Sequence, residues 1–191
     1  ALTLGVQNLL VTSDAAMDIL VSSNLERLLY LSCGRDAAKT KELMEQLSKN
    51  GKYEITPEMK EFMKDFSAGY ADMEENAKEI KKVFDDTGYL IDTHTGVAAA
   101  VYEQYKKKTG DMTKTVIAST ASPYKFSRSV MEAVLGKKED ADEFALIDEM
   151  ERISGVKIPQ AIEEIRDAKI LHNRQCKPEE MEETVKQTFS K

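Results

Sequence analysis

Apolar residues recur at helical spacing along most of the chain. Thr56-Pro57-Glu58 predicts a helix start, because Thr accepts hydrogen bonds from free backbone N–H groups and Pro at the first helical position needs none. The apolar residues that follow predict one helix face: Met59, Phe62, Met63, Phe66 and Tyr70. Similar signals predict helices from near Asn24, from Asp36 to Asn50, and around 77–84, 97–107, 130–135, 144–153, 160–167 and 178–189.

Two short segments have the composition of β-strands. Residues 17–22 form a β-type run, and residues 115–119 are mostly β-branched and uncharged, as in a buried strand. Each is followed by a polar turn and a predicted helix. In open α/β sheets, ligands bind at the carboxyl ends of the strands, near helix starts. We therefore predict an α/β fold, predominantly helical with a few short, mostly parallel strands.

Charged residues are distributed unevenly along the 191 positions. Residues 35–86 and 137–191 hold 23 and 24 charges, as in helices with one solvated face, whereas 1–34 holds four and 87–126 holds eight. We interpret the chain as one compact fragment with four segments. These are a first strand–turn–helix unit (1–34), a charged helical insertion (35–86), a site-forming helix–strand–helix segment (87–136) and carboxyl-terminal helices (137–191).

The composition argues against several classes of protein. With 34 acidic and 27 basic side chains, the formal net charge is -7, and no basic cluster is present to bind nucleic acid. No apolar run approaches the roughly 20 residues of a membrane span, and no secretory signal is recognised, so we expect a cytoplasmic protein. Cys33 and Cys176 belong to no metal-binding or disulfide pattern, and no metal is expected.

Two polar groups near helix starts are candidates for ligand binding. Asn24 and Arg27 are three residues apart, a spacing that can direct an amide and a guanidinium at one phosphate, or that reflects a capping Asn beside a surface Arg. His94, between the hydroxyls of Thr93 and Thr95, can orient a substrate or transfer a proton. Alternatively, Thr95 caps the helix and His94 satisfies a buried backbone group.

The most distinctive local feature follows the second predicted strand. Residues 118–126 (Ala-Ser-Thr-Ala-Ser-Pro-Tyr-Lys-Phe) place hydroxyls where they can hydrogen-bond a ring nitrogen or a polar substrate without adding charge. A plain strand-to-helix turn uses many of the same residues. Gly-rich phosphate loops, HExxH, GxSxG and a Cys/His nucleophile pair do not occur.

Three blocks that contain these candidates, residues 17–29, 88–98 and 119–126, resemble successive blocks of threonine synthase. Their order and separation resemble the carboxyl-terminal part of that enzyme, from about residue 14 to the end. The resemblance implies a fold-type II lyase of the pyridoxal-phosphate β-family, which converts O-phosphohomoserine and water into threonine and phosphate.

In that family, a Schiff-base lysine in a Phe-Lys-Asp context and a Gly-rich loop bind the cofactor. Neither motif occurs in this sequence, where Tyr124 and Phe126 flank Lys125. The resemblance therefore implies a fragment that lacks the catalytic lysine, is inactive alone and is expected to bind no pyridoxal phosphate by itself. Its expected partners are the missing amino-terminal part and the substrate, with self-association possible through the sparsely charged middle.

The resemblance also assigns roles to residues. Thr120, with Ser119 beside it, would face the pyridine nitrogen of the cofactor, and Asn24 and Arg27 would bind the substrate phosphate. Three further residues would lie at the substrate end: Thr93, His94 and Lys125.

Two positions differ from the family pattern. Gly96 replaces Ala, which we expect to be a harmless packing change, and Thr93 replaces Pro. Two other classes remain open at this point: an acidic helical interaction module, and a self-contained small enzyme for which no complete catalytic set is found.

Overall fold

The computed structural model describes residues 3–5, 21–171 and 173–190. The described residues form nine α-helices: α1 (Ser23–Ser32), α2 (Ala37–Asn50), α3 (Pro57–Phe62), α4 (Met73–Thr87), α5 (Thr93–Thr109), α6 (Ser127–Leu135), α7 (Glu143–Ser154), α8 (Gln160–Arg166) and α9 (Met181–Phe189). They also form β1 (Thr3–Gly5), β2 (Lys52–Glu54) and 3-10 helices at Pro123–Phe126 and Pro178–Glu180. The chain divides into two compact units, Ala1–Val156 and Lys157–Lys191, and the second contains α8 and α9.

The predominantly helical α/β fold class is confirmed, and the helices begin and end where capping residues occur. Asp36 accepts hydrogen bonds from the backbone N–H groups of Ala38 and Lys39 at 2.9 and 3.0 Å, and α2 ends at Gly51. Thr56 accepts from the Met59 N–H at 3.3 Å, as the Thr-Pro signal predicts. Local chemistry therefore fixes these ends independently of tertiary packing.

Helix α3 is shorter than predicted. It ends at Phe62, so Phe66 and Tyr70, which were predicted to share its apolar face, are 59% and 78% exposed. The loop beyond α3 packs on α5 instead, where a Cβ atom at Gly69 would lie 2.8 Å from Val101 Cγ1. This contact with α5 outweighs the helical spacing of the apolar residues, and the chain leaves the helix axis after Phe62.

The strands differ from the prediction. In the described residues, β1 and β2 pair antiparallel, with Thr3 opposite Glu54, rather than parallel. Residues 115–119 are not a strand, since no strand of the described residues lies beside them to complete their backbone hydrogen bonds, and Val116 is 95% exposed. The other predicted strand, 17–22, lies mostly outside the described residues.

Two groups of buried apolar side chains hold the first unit together. One group lies among α1, α2, β2 and α3 and consists of Leu29, Leu43, Tyr53 and Met59. Elsewhere, α4 packs against α5 and α6, and α6 packs against α7. The most completely buried apolar side chains on these helices are Ile80, Val130, Met131 and Met150. The second arrangement matters for function, because it positions α5 and the segment that follows it.

Gly96 lies where α5 packs directly on α4. A Cβ atom at this position would lie 2.1 Å from Asn76 Oδ1 and 2.8 Å from Ile80 Cγ1. Both neighbours are buried and have little room to move. The Gly at this position is therefore coupled to its neighbour, because Asn76 occupies the space that the methyl group of Ala would need.

We expect Gly96→Ala to lower the free energy of unfolding by about 1–3 kcal/mol, because the methyl group overpacks the contact between α4 and α5. In an unobstructed helix the same change stabilises by about 1 kcal/mol. Denaturant titration measures the difference. Gly110→Ala is the control, since nothing lies within 4 Å of its Cβ position and only the positive φ opposes the change. A Gly96→Ala variant more stable than the parent chain would contradict the close approach.

Candidate functional site

The start of α5 is organised by Asp92. This side chain has 0% of its surface exposed and accepts hydrogen bonds through Oδ1 from the backbone N–H groups of His94 and Thr95, at 2.8 and 3.2 Å. Asp92, not Thr95, is therefore the N-cap, and α5 begins at Thr93 rather than near 97. The reason is that an Asp carboxylate three residues before Thr95 is the better acceptor for the free N–H groups of the first turn.

The second carboxylate oxygen of Asp92 connects α5 to a distant part of the chain. Asp92 Oδ2 accepts hydrogen bonds from Thr95 Oγ1, at a short distance, and from Ser119 Oγ at 3.3 Å. The two hydroxyl oxygens are themselves hydrogen-bonded at 2.9 Å. Ser119 is thus fixed to the helix start although its residue as a whole is exposed.

The segment that leads to Ser119 is also held at its other end by α5. Tyr105 donates to Asp111 Oδ2 at 3.0 Å, and Asp111 Oδ1 accepts from the backbone N–H and hydroxyl of Thr113 at 2.9 and 2.6 Å. Tyr102 donates to the carbonyl oxygen of Thr113 at 3.3 Å. Segment 113–119 is therefore tied at both ends to residues of α5 or its N-cap.

These hydrogen bonds also shift two pKa values. The hydrogen bonds from Thr113, with that from Tyr105, lower the pKa of the Asp111 carboxyl, and the hydrogen bond to Asp111 raises the pKa of the Tyr105 phenol. At neutral pH both shifts favour an ionised Asp111 and a neutral Tyr105, which are the protonation states in which this hydrogen bond forms.

His94 and Lys125 meet through an aromatic ring. The His94 ring packs edge-on against Phe126 with centroids 4.8 Å apart, and Lys125 Nζ lies 5.3 Å from the centroid of the same ring. His94 is half-buried and Lys125 is exposed. Thr93, the first residue of α5, is buried. The structure thus brings these three predicted residues to the region of Ser119.

Thr120 follows Ser119 directly and is exposed. Its hydroxyl makes no hydrogen bond to any described residue. The turn beyond it is fixed, because Tyr124 is buried and its hydroxyl donates to the carbonyl oxygen of Val156. Burial raises the pKa of the Tyr124 phenol, with a smaller contribution from Glu151.

Asn24 and Arg27 lie elsewhere, on α1, which packs against α2 and α3. Ser22 caps α1 by accepting from the backbone N–H of Leu25 at 3.4 Å, so Asn24 is not the cap. The guanidinium of Arg27 hydrogen-bonds Asn24 Oδ1, and both residues are exposed. Within the described residues, no hydrogen bond joins this pair to the α5 start.

Asp92 was not predicted from the sequence as a site residue, and neither was the hydrogen bonding of the Thr95 hydroxyl to Asp92 and Ser119. One signal could have found them: Asp ranks above Thr as an N-cap, and Asp92 precedes Thr95 by the three residues that such a cap requires. No sequence signal indicated that Ser119 joins them, since the contact spans 27 positions.

Two further findings limit the chemistry of the described residues. They contain no cluster of three or more His, Cys, Asp or Glu side chains able to hold a metal ion. No helix in the described ranges is long and apolar enough to cross a membrane.

Comparison with known proteins relates this chain to threonine synthases and to threonine synthase-like proteins. A family model described as threonine synthase, C-terminal, matches residues 95–187. The threonine synthase of Saccharomyces cerevisiae is 32% identical over 179 residues, which cover 85% of this chain and 35% of that protein. The human protein threonine synthase-like 1 is 33% identical over 124 residues, which cover 64% of this chain and 16% of that protein.

The fold gives the same result. A crystal structure of PLP-bound threonine synthase from Brucella melitensis matches with a TM-score of 0.62 and 29% identity, over 81% of this chain and 32% of that chain. The yeast threonine synthase structure matches with a TM-score of 0.62 and 28% identity, over 80% of this chain and 33% of that chain.

The fold is thus that of a part of a pyridoxal-phosphate-dependent enzyme. Within that class, the chain belongs to the threonine synthase family and corresponds to its carboxyl-terminal part. It spans about a third of the length of the yeast enzyme. Ser119, Thr120 and Lys125 lie inside the matched family region, whereas Asn24, Arg27 and His94 precede it.

We expect Asp92→Ala to lower the free energy of unfolding by about 3 kcal/mol, since it removes a cap and leaves buried donors without an acceptor. Asp142→Ala is the matched control. Asp142 also accepts two backbone N–H groups through Oδ1, at 3.0 and 3.1 Å, but it is exposed and binds no hydroxyl in the described residues. Its loss should cost about 1 kcal/mol. Equal losses in denaturant titrations would contradict the role of Asp92 beyond capping.

Proposed function

We propose that this chain is the carboxyl-terminal portion of a threonine synthase, which converts O-phosphohomoserine and water into threonine and phosphate with pyridoxal phosphate. The observation that carries the proposal is the anchored turn at Ser119 and Thr120. Its hydroxyls lie beside the start of α5, within the region that matches the family model. A plain surface turn would not need a buried carboxylate to hold it.

The residues of this turn fit the cofactor in their chemistry. Thr120 has an exposed hydroxyl that is free to donate to a ring nitrogen, and the described residues place no carboxylate against it. A neutral donor leaves the pyridine nitrogen largely unprotonated and so moderates its capacity to withdraw electrons. When bound, pyridoxal phosphate stabilises negative charge that develops on the substrate carbons during elimination and replacement.

The remaining predicted residues would serve the substrate. His94 packs edge-on against Phe126, and Lys125 offers a cation over the same ring. We propose that these two side chains, with Thr93 supporting the start of α5, orient the polar end of O-phosphohomoserine. Arg27, steadied by Asn24, would bind the phosphate of the substrate.

An amino-terminal part of the same enzyme is the proposed partner. Segment 113–119 has no regular secondary structure and no strand beside it in the described residues, and Val116 is almost fully exposed. Exposed apolar side chains on such a segment are typical of an interaction surface. We propose that the amino-terminal part covers this surface and supplies the lysine that binds the cofactor, and that the chain alone is inactive and prone to self-association.

The 191-residue chain should show no stoichiometric attachment of cofactor to a single lysine when incubated with pyridoxal phosphate and then reduced with borohydride. The reason is that no lysine of this sequence stands in the expected Phe-Lys-Asp context, and Lys125 lies over the ring of Phe126. Peptide mass spectrometry measures the labelling. One specifically labelled lysine at full occupancy would contradict the proposal that the cofactor lysine lies outside this chain.

In the longer enzyme, Thr120→Ala should lower kcat/KM by about tenfold, the effect of one lost hydrogen bond of about 1.4 kcal/mol, and should alter the absorption spectrum of the bound cofactor. Glu61→Ala is the control, because Glu61 is an exposed residue of α3 paired with Lys64. Steady-state kinetics and absorption spectra measure both variants. If the two variants behave alike, Thr120 does not contact the cofactor.

A further inference from the structure

The hydrogen bonds around Asp92 restrict the direction in which Ser119 can donate its proton. A carboxylate only accepts hydrogen bonds, whereas a hydroxyl has one proton to donate and two lone pairs that accept. Asp92 Oδ1 is satisfied by two backbone N–H groups. Asp92 Oδ2, Thr95 Oγ1 and Ser119 Oγ make three contacts with one another, and the two hydroxyl protons are the donors that these contacts share.

The alternative arrangement is costly. If Ser119 directed its proton outward, the Thr95 proton would be the one hydroxyl donor left for all three contacts, and at least one hydrogen bond beside the fully buried carboxylate would be lost. With the Ser119 proton inside, Thr95 donates to one of its two partners and Ser119 donates to the remaining oxygen, whichever way the Thr95–Ser119 hydrogen bond runs. The Ser119 residue is exposed, so its outward side presents lone pairs only.

We infer that Asp92 is a positioning residue that turns the Ser119 hydroxyl proton inward, so that Ser119 meets a bound ligand only as a hydrogen-bond acceptor. Ser119 therefore recognises an N–H or O–H group of the ligand. Thr120, whose hydroxyl has no partner among the described residues, is left as the one of the two that donates. This inference rests on the proposed function for the identity of the ligand, but not for the orientation of the hydroxyl.

The two neighbouring hydroxyls would then have opposite tasks in the proposed enzyme. Thr120 donates to the unprotonated ring nitrogen, and Ser119 accepts from a donor group on the cofactor or substrate. The Ser119 proton becomes free to point outward only if Asp92 Oδ2 is replaced by a donor. Asp92→Asn makes that replacement, because its amide N–H₂ donates to the Thr95 and Ser119 oxygens and the Ser119 proton is no longer needed inside.

The first arm of the test is a double-mutant cycle on the 191-residue chain, with Asp92→Asn, Ser119→Ala and both together, measured by denaturant titration. We expect a coupling of about fivefold in the unfolding equilibrium constant, since contacting residues of one hydrogen-bond network are not additive. The control cycle pairs Asp92→Asn with Thr120→Ala and should be additive. If Asp92→Asn does not fold, Thr95→Val replaces it, because it removes the hydroxyl that Ser119 contacts at 2.9 Å. An additive first cycle would overturn the inference.

The second arm records the absorption spectrum of the bound cofactor in the longer enzyme. Asp92→Asn should shift the spectrum, and adding Ser119→Ala should abolish that shift. If Asp92 acted only on the stability of the fold, the shift would remain in the double variant. A shift that persists in the Ser119→Ala background would overturn the route through Ser119. If the first cycle shows coupling while no variant, Thr120→Ala included, changes the spectrum, the hydrogen bond between Asp92 and Ser119 stands and the proposed cofactor site fails.

Discussion

The buried carboxylate of Asp92 is the constraint on which the candidate site depends. Burying a carboxylate away from water destabilises the folded state unless hydrogen-bond donors surround the carboxylate. Here two backbone N–H groups and two hydroxyls surround Asp92. The backbone groups belong to the first turn of α5, and one hydroxyl belongs to Ser119. The hydrogen bonds to this one carboxylate therefore fix both the start of α5 and the turn at Ser119.

The rest of the first unit supports this arrangement. Gly96 lets α5 pack closely on α4, which places the helix start against a buried surface. At the other end of α5, the hydrogen bonds among Tyr105, Asp111 and Thr113 fix where segment 113–119 begins. Segment 113–119 thus has a defined position, although no strand of the described residues lies beside it. Such a segment is consistent with a chain that spans about a third of the length of its yeast relative.

Helix ends could be predicted from the sequence where a single side chain decides them. Asp36, Thr56 and Gly51 act within a few residues of their own position, so their signals are local. The end of α3 could not be predicted in this way, because the contact of Gly69 with Val101 joins residues far apart in sequence. Residues 115–119 failed as a strand for a related reason, since strand formation needs a neighbour that the described residues do not supply.

The candidate site was predictable to a similar extent. The resemblance pointed to Thr93, His94, Ser119, Thr120 and Lys125, and the structure places them in one region. Asp92 and the direction of its hydrogen bonds needed the three-dimensional structure, because they depend on burial and on a contact with Ser119 across 27 positions. Asn24 and Arg27 stay predictions as substrate ligands, with their mutual hydrogen bond as the observed contact.

The most direct test of the central claim is a crystal structure of the longer enzyme with pyridoxal phosphate bound. Our account predicts that Thr120 Oγ1 lies at hydrogen-bonding distance, about 2.7–3.2 Å, from the pyridine nitrogen, with Asp92 still bonded to Ser119. A cofactor ring that contacts neither Thr120 nor Ser119, or a pyridine nitrogen paired with a carboxylate, would contradict it.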